Sequence, residues 1–372
     1  MDRESPLRRI DWLLLAAVAA LCAIGTLLVW SATRDYNLVH GLDPQAYLKK
    51  NILNICIGTS LGTLAAIVDY RTLRAYVPVL YVASCLGLVA VFVIGSTING
   101  AHSWIQIGGG FEVQPAEFTK IALIIGMATL LGERRDTEAG PRDVDVGLVL
   151  LLAAVPLVLI LLEPDLGMVM VLVFVIFGML SISGARARWL LGLVVVGVVG
   201  ALVVVHLHLL KDYQLKRLSA FANPQSGQSS FGYNQAQARI TIGSGGLFGT
   251  GLFHGSQTNG HFVPEQQTDF VFTVAGEELG LAGSGLLICL VGVVLWRGIR
   301  IAGRAEDMFG TLMATGVVCW FAFQAFENIG MTMGIMPVTG LPLPFVSYGG
   351  SSMFATMIAV GLLQNVHLRT RE

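Results

Sequence analysis

Ten stretches of mainly apolar residues, each broken from the next by a short polar segment, run through the chain at roughly 11–31, 47–68, 76–95, 115–132, 145–162, 165–183, 188–209, 270–296, 308–335 and 350–367. About 20 apolar residues in helical form cross the hydrocarbon core of a bilayer. The pattern therefore predicts an all-α polytopic integral membrane protein of about ten transmembrane helices, forming a single domain over residues 1–372. The fifth and sixth stretches are parted only by Glu163-Pro164-Asp165 and the edge of the eighth is soft, so nine or eleven spans fit the same pattern.

One connection is out of scale. Lys211 to Thr268 joins the seventh and eighth stretches through 58 residues, and connections of that length are functional or disordered. Alternation of polar and apolar residues with many glycines argues for order. The first half of FGYNQAQARITIGSGGLFGTGLF (231–253) is amphipathic and suits an interfacial helix, and the glycines that follow allow tight turns. This large loop is read as a cap containing interfacial helices on the outer membrane surface. Its GSGG lacks the lysine and hydroxyl ending of a nucleotide phosphate loop. A glycine-rich turn and a backbone cradle for a lipid-linked pyrophosphate both fit it.

Composition agrees with the pattern: 54% hydrophobic residues, 13% charged and a mean hydropathy of +0.71 describe a membrane protein. Fifteen of the 23 basic residues fall in loops and tails on the side of the N-terminus, which makes both termini cytoplasmic. The basic N-terminus lacks a small-residue cleavage site, so the first stretch reads as a retained helix. Five cysteines lie inside predicted spans without paired spacing, against disulfides and metal clusters. A net charge of −1 with no basic run beyond the topology signal gives no reason to expect nucleic-acid binding.

Charge inside such a chain is where chemistry is expected, because an ionisable group at membrane depth costs free energy unless paired, solvated or used. PEQQTDFVFTVAGEELG (264–280) carries Glu265, Asp269, Glu277 and Glu278. Asp269 is a candidate general base, and a candidate N-cap as well. In QPAEFTK (114–120), Pro115 starts a helix on which Glu117 and Lys120 share a face, as a packing pair or as part of a hydrophilic cavity. Asp165 stands where it would cap the sixth span. Outer basic residues Lys49, Lys50, Lys211, Lys216, Arg217 and Arg239 are candidates for holding phosphates or for snorkelling to headgroups. Three prolines in 337–344 forbid a continuous helix, and irregular backbone at membrane depth is tolerated only in contact with protein or a cavity. Residues 336–352 therefore predict a cavity wall. No serine here has a nucleophile motif, and His206 and His208 are spaced onto different faces.

QPAEFTK, EPDLG, RLSAFANP, IGSGGLFGTG, PEQQTDFVFTVAGEELG and NIGM followed by PVTGLPLPFVSYGGSS occur in this order along nearly the whole chain. Together they resemble the SEDS family (shape, elongation, division and sporulation), its elongation branch more than its division branch. The resemblance implies a peptidoglycan glycosyltransferase that joins lipid II units through a β-1,4 bond with inversion and releases undecaprenyl pyrophosphate. It places the family's essential loop aspartate on Asp269, the cavity pair on Glu117 and Lys120, and a basic position on Lys49 or Lys50. The candidate site is thus Asp269 as catalytic base, with Glu117, Lys120, Lys49, Lys50, Asp165, Arg217, Arg239 and Glu265 around the substrate.

The resemblance further implies a divalent cation such as Mg or Mn with no organic cofactor, lipid II as substrate and a class B penicillin-binding protein as partner. It adds other membrane proteins of the elongation machinery, location in the inner membrane, and an active site facing outward. Gln267 stands where many relatives carry histidine. Two other classes fit some of the residues: a lipid II transporter, which buried charges and proline-broken helices suit, and a scaffold for a transpeptidase, which would leave those charges unused.

Overall fold

The computed structural model describes residues 9–98, 101–108, 111–133, 140–206 and 230–370. Nine of the ten apolar stretches each coincide with one helix: α1 (Trp12–Val39), α2 (Ala46–Ile67), α3 (Tyr70–Ile94), α4 (Pro115–Leu131), α5 (Asp143–Leu162), α6 (Leu166–Ile182), α7 (Ala187–His206), α12 (Met308–Met333) and α13 (Gly350–Leu368), whereas the stretch 270–296 is broken at Gly280, φ +67°, so that its long helix is α11 (Gly280–Arg304). Seven of these are long and apolar enough to cross a membrane by length and composition. Among the described residues, three shorter helices lie between α7 and α11: α8 (Ser230–Ser244), α9 (Ser256–Asn259) and α10 (Val271–Glu278).

Local sequence accounts for many boundaries. Asp11, Asp69, Asp165 and Asp307 each accept a backbone N–H of the helix they precede, satisfying a donor the helix cannot. Pro115 occupies the first turn of α4, where its missing N–H costs nothing. Gly334 ends α12 in the left-handed region at φ +82°. An element outside the all-helical expectation joins α3 to α4: a three-stranded antiparallel sheet of β1 (Ser96–Ile98), β2 (Ala101–Gly108) and β3 (Phe111–Val113).

The centre is built by α4, α12 and α13, which bury most of their residues. Small residues set the closest approach. Gly58 and Gly62 on α2 face α13, where a Cβ on Gly62 would sit 2.5 Å from the Met357 carbonyl oxygen, and one on Gly361 2.1 Å from that of Gly62. Helices in an apolar solvent gain from such backbone contact because burial of apolar surface alone does not drive them together.

At one end of the bundle, polar clasps join helix ends. Arg297 pairs with the buried Asp11 at 2.6 Å, and Gln364 exchanges two hydrogen bonds with the Asp11 backbone. Asn365 donates to the carbonyls of Ala65, Ala66 and Val68, closing the turn between α2 and α3. The other end carries the sheet, the described part of the long connection and the irregular segment 334–349.

Candidate active site

At that second end, the starts of α2, α4, α6 and α13, the sheet and two irregular segments enclose a cavity of about 310 Å³. Lys50, Glu112, Glu117, Asp165, Glu265 and Asp269 all reach its lining. Residues far apart in sequence are brought together here, five carboxylates and one lysine among the described lining residues. A lining so rich in acid is suited to proton transfer, and to a substrate that brings cations or hydroxyls with it.

Asp269 is held by its own loop and by α12. The carbonyl of Glu265 accepts the N–H groups of Thr268, Asp269 and Phe270 at 3.0–3.2 Å, a tight turn that Glu265 enters at φ +52°. Non-glycine residues seldom adopt that conformation, and such strain gathers at functional sites. Helix α10 starts only at Val271, capped by Phe270 without a side-chain bond. The Asp269 carboxylate is therefore not the cap of that helix, and it turns to the cavity. Gly340 stands against it at φ +81°, where a Cβ would lie 3.2 Å from Asp269 Oδ2.

Glu117 and Lys120 form the ion pair their spacing predicts, with Lys120 Nζ 2.8 Å from Glu117 Oε2 and both side chains buried. Glu117 reaches the cavity, whereas Lys120 stands behind it, donating to Gln324 Oε1 at 3.1 Å and lying 4.2 Å from the centre of the Trp320 ring. A buried charge needs several such partners to repay its dehydration. Asp165 does two jobs at once: Oδ1 caps α6 at the Met168 N–H, and Oδ2 accepts from Gln114 Nε2 at 3.0 Å in the cavity wall.

Of the basic candidates, Lys50 lines the cavity mouth. Lys49 turns away to Asp43 at 2.7 Å, holding that exposed carboxyl below its usual range. Arg239 is exposed on α8 against Gly334, away from the lining. Lys211, Lys216 and Arg217 lie outside the described residues.

Sequence reading missed a second group of lining residues, Tyr47, Asn54, Trp104, Glu112 and Gln114, while Tyr348 lies in the wall predicted at 336–352. Trp104 and Glu112 arrive on the sheet, whose one signal was the alternation in HSWIQI. Tyr47 meets Tyr348 edge to face at 5.0 Å, and the Tyr348 N–H donates to the Gln267 carbonyl, tying the two irregular segments together. Ser351 is a brace, accepting from the Gln114 N–H and donating to the Glu112 carbonyl.

Two of the four acids in 264–280 serve structure. Glu277 accepts from the Gln257 and Thr258 N–H groups and the Thr258 hydroxyl at 2.7–2.8 Å, and Glu278 accepts from Ser31 and the Phe253 N–H. They fasten residues 253–258 to the core. The glycines after α8 serve close packing: a Cβ on Gly245 would lie 2.0 Å from the Gly276 carbonyl oxygen, and one on Gly249 2.2 Å from that of Glu278. In 243–249 it is Gly245 and Gly249 that make these close backbone contacts. Among the described residues, no three His, Cys, Asp or Glu side chains come together as a group that would hold a metal ion.

Similarity to known proteins extends over nearly the whole chain. The chain is 37% identical to a probable peptidoglycan glycosyltransferase FtsW of Trichlorobacter lovleyi, over 97% of this chain and 93% of that protein. It is 35% identical to the peptidoglycan glycosyltransferase MrdB of Escherichia coli K12, over 96% and 93%. A chain in a solved peptidoglycan synthase complex, described as coordinating polymerization and crosslinking, superposes with a TM-score of 0.80 at 32% identity, covering 96% of this chain and 97% of that one. The family model for cell cycle proteins of the FtsW, RodA and SpoVE type matches residues 11–372, and the chain belongs to that family.

Proposed function

We propose that this membrane protein is a peptidoglycan glycosyltransferase that polymerises glycan strands during cell elongation and shape maintenance. The observation that carries the reading is the meeting of Asp269, Asp165 and Glu117 in one polar cavity, in a chain whose relatives bear that activity in their names. The lipid-linked glycan chain is the donor and lipid II the acceptor. Asp269 takes the proton of the acceptor 4-hydroxyl as its oxygen bonds to the donor anomeric carbon. The bond from that carbon to the pyrophosphate breaks, the electron pair leaves with undecaprenyl pyrophosphate, and the anomeric configuration inverts.

Lys50 at the mouth is the described cation best placed to meet a phosphate, with Arg217 a further candidate on the long connection. A divalent cation fits this reading as an ion carried in on the pyrophosphate, the usual mode for magnesium at phosphate sites. The clustering of Arg74, Arg186, Arg297 and Arg369 at the end opposite the cavity supports cytoplasmic termini and an outward-facing site in the inner membrane. Likeness to a chain of a synthase complex supports a class B penicillin-binding protein as partner, with other elongation proteins around it.

The test is polymerisation of labelled lipid II by purified protein, alone and with such a partner, comparing the wild type with Asp269→Asn at matched folding. Glycan ladders that vanish in the variant bear the reading out. No ladders under any condition, together with lipid II movement across liposomes, would replace it with transport.

A further inference from the structure

The proline-rich segment that walls the cavity cannot satisfy its own backbone. With Pro337, Pro342 and Pro344 in place, it forms neither helix nor ladder, and the carbonyls of Leu341 and Pro342 need donors from elsewhere. Helix α12 supplies them. Gln324 and Asn328, one turn apart and fully buried, donate to Pro342 and Leu341 at 2.8 and 2.7 Å. The same Asn328 amide nitrogen gives its second hydrogen to the backbone carbonyl of Asp269 at 2.8 Å. One side chain thus holds both walls of the cavity where Asp269 faces Gly340. Gln324 extends the connection, since its Oε1 accepts from Lys120 and from Trp320 Nε1.

We infer that Asn328 is a positioning residue for the reaction: its amide sets the Asp269 backbone against the 339–342 segment and so fixes where the carboxylate meets the acceptor hydroxyl. This rests on the reading of Asp269 as the base. Gln324 plays the matching part for Lys120, so that α12 carries a polar edge registering the base loop, the proline-rich wall and the buried ion pair with one another. Displacing a catalytic group by about 1 Å costs on the order of a hundredfold in rate. The staple therefore governs turnover more than substrate capture.

The experiment uses full-length protein with its partner in lipid nanodiscs, with lipid II as substrate. Asn328→Asp keeps size and shape but removes both donors at neutral pH. Its kcat is expected to fall about tenfold to a hundredfold, with KM within about threefold of the wild type. The ratio of variant to wild-type rate is expected to rise as pH falls, when the introduced carboxyl takes up a proton and regains one donor. Asn328→Ser, which keeps one hydroxyl donor, is expected between the two, and it carries the test should Asn328→Asp not fold.

A kcat within twofold of the wild type in both variants, with Asp269→Asn inactive, overturns the inference alone. A fall in kcat unmoved by pH and matched by an equal rise in KM also overturns it, by assigning Asn328 a purely structural part. Asp269→Asn at the wild-type rate removes the base reading and this inference with it.

Discussion

Lys120 Nζ lies 2.8 Å from Glu117 Oε2 inside the bundle, with the Trp320 ring 4.2 Å from the ammonium. Because both side chains are buried in the bundle, removal of one leaves its partner uncompensated. Lys120→Met or Glu117→Gln alone is expected to cost about 3–5 kcal/mol of stability, and the double variant less than the sum. Reversible unfolding of the four proteins in mixed micelles measures the coupling, and strictly additive losses would contradict it.

Gly340 is required twice, by its φ of +81° and by the 3.2 Å between a would-be Cβ and Asp269 Oδ2. The left-handed conformation alone costs a side chain about 1–2 kcal/mol. Gly340→Ala should fold with a modest loss of melting temperature but lose most lipid II polymerisation. Equal activity in the two proteins would show that the Asp269 carboxylate has room to move.

Gly245 should tolerate no side chain, for a different reason. With a Cβ placed 2.0 Å from the Gly276 carbonyl oxygen, α8 and α10 must separate. Gly245→Ala is expected to destabilise by about 1–3 kcal/mol, seen as early unfolding and poor membrane accumulation. Gly243, whose Cβ would meet nothing within 4 Å, is the internal control and should accept alanine freely.

Glu277 is a fastener with no direct part in the chemistry. Glu277→Gln places an amide against donors that now find carboxylate oxygens. Amide exchange at 255–259 should speed up by the equivalent of about 1–3 kcal/mol. Polymerisation by this variant should survive at a reduced level, in contrast to the complete loss expected of Asp269→Asn.

His261 packs against Tyr36 at 5.2 Å between ring centres, and burial holds its pKa below the ordinary 6.5, with nearby Asp35 opposing the shift and His40 adding to it. A depressed histidine binds fewer protons folded than unfolded. Packing there is thus unaffected above about pH 6.5 and weakens as pH falls through the lower folded value. Hydrogen exchange around residue 261 should quicken over that window in the wild type and not in His261→Gln. The same quickening in both would assign the effect to another group.

Much of this molecule is legible in the chain because a bilayer makes severe local demands. Apolar length located nine helices and the greater part of α11, Asp165 and Pro115 announced helix starts, and three prolines announced an irregular wall. The i, i+3 spacing of Glu117 and Lys120 foretold their pairing, since both lie on one element.

What the sequence by itself determined is therefore whatever depends on neighbours a few residues away: most of the helices, the cap at Asp165, the break at 337–344 and the pair within α4. Only the tertiary structure decided which charges share a cavity. Lys49 and Lys50 are adjacent and chemically identical, yet one turns to Asp43 and the other to the cavity. Glu265 and Asp269 reach the cavity while Glu277 and Glu278, on the following helix, fasten a loop. Asn328 binds Asp269 and Leu341 across gaps of 59 and 13 residues. Such pairings arise when packed helices bring unsatisfied carbonyls and carboxylates within reach of particular donors, and the energy of a buried polar group is set by those distant partners.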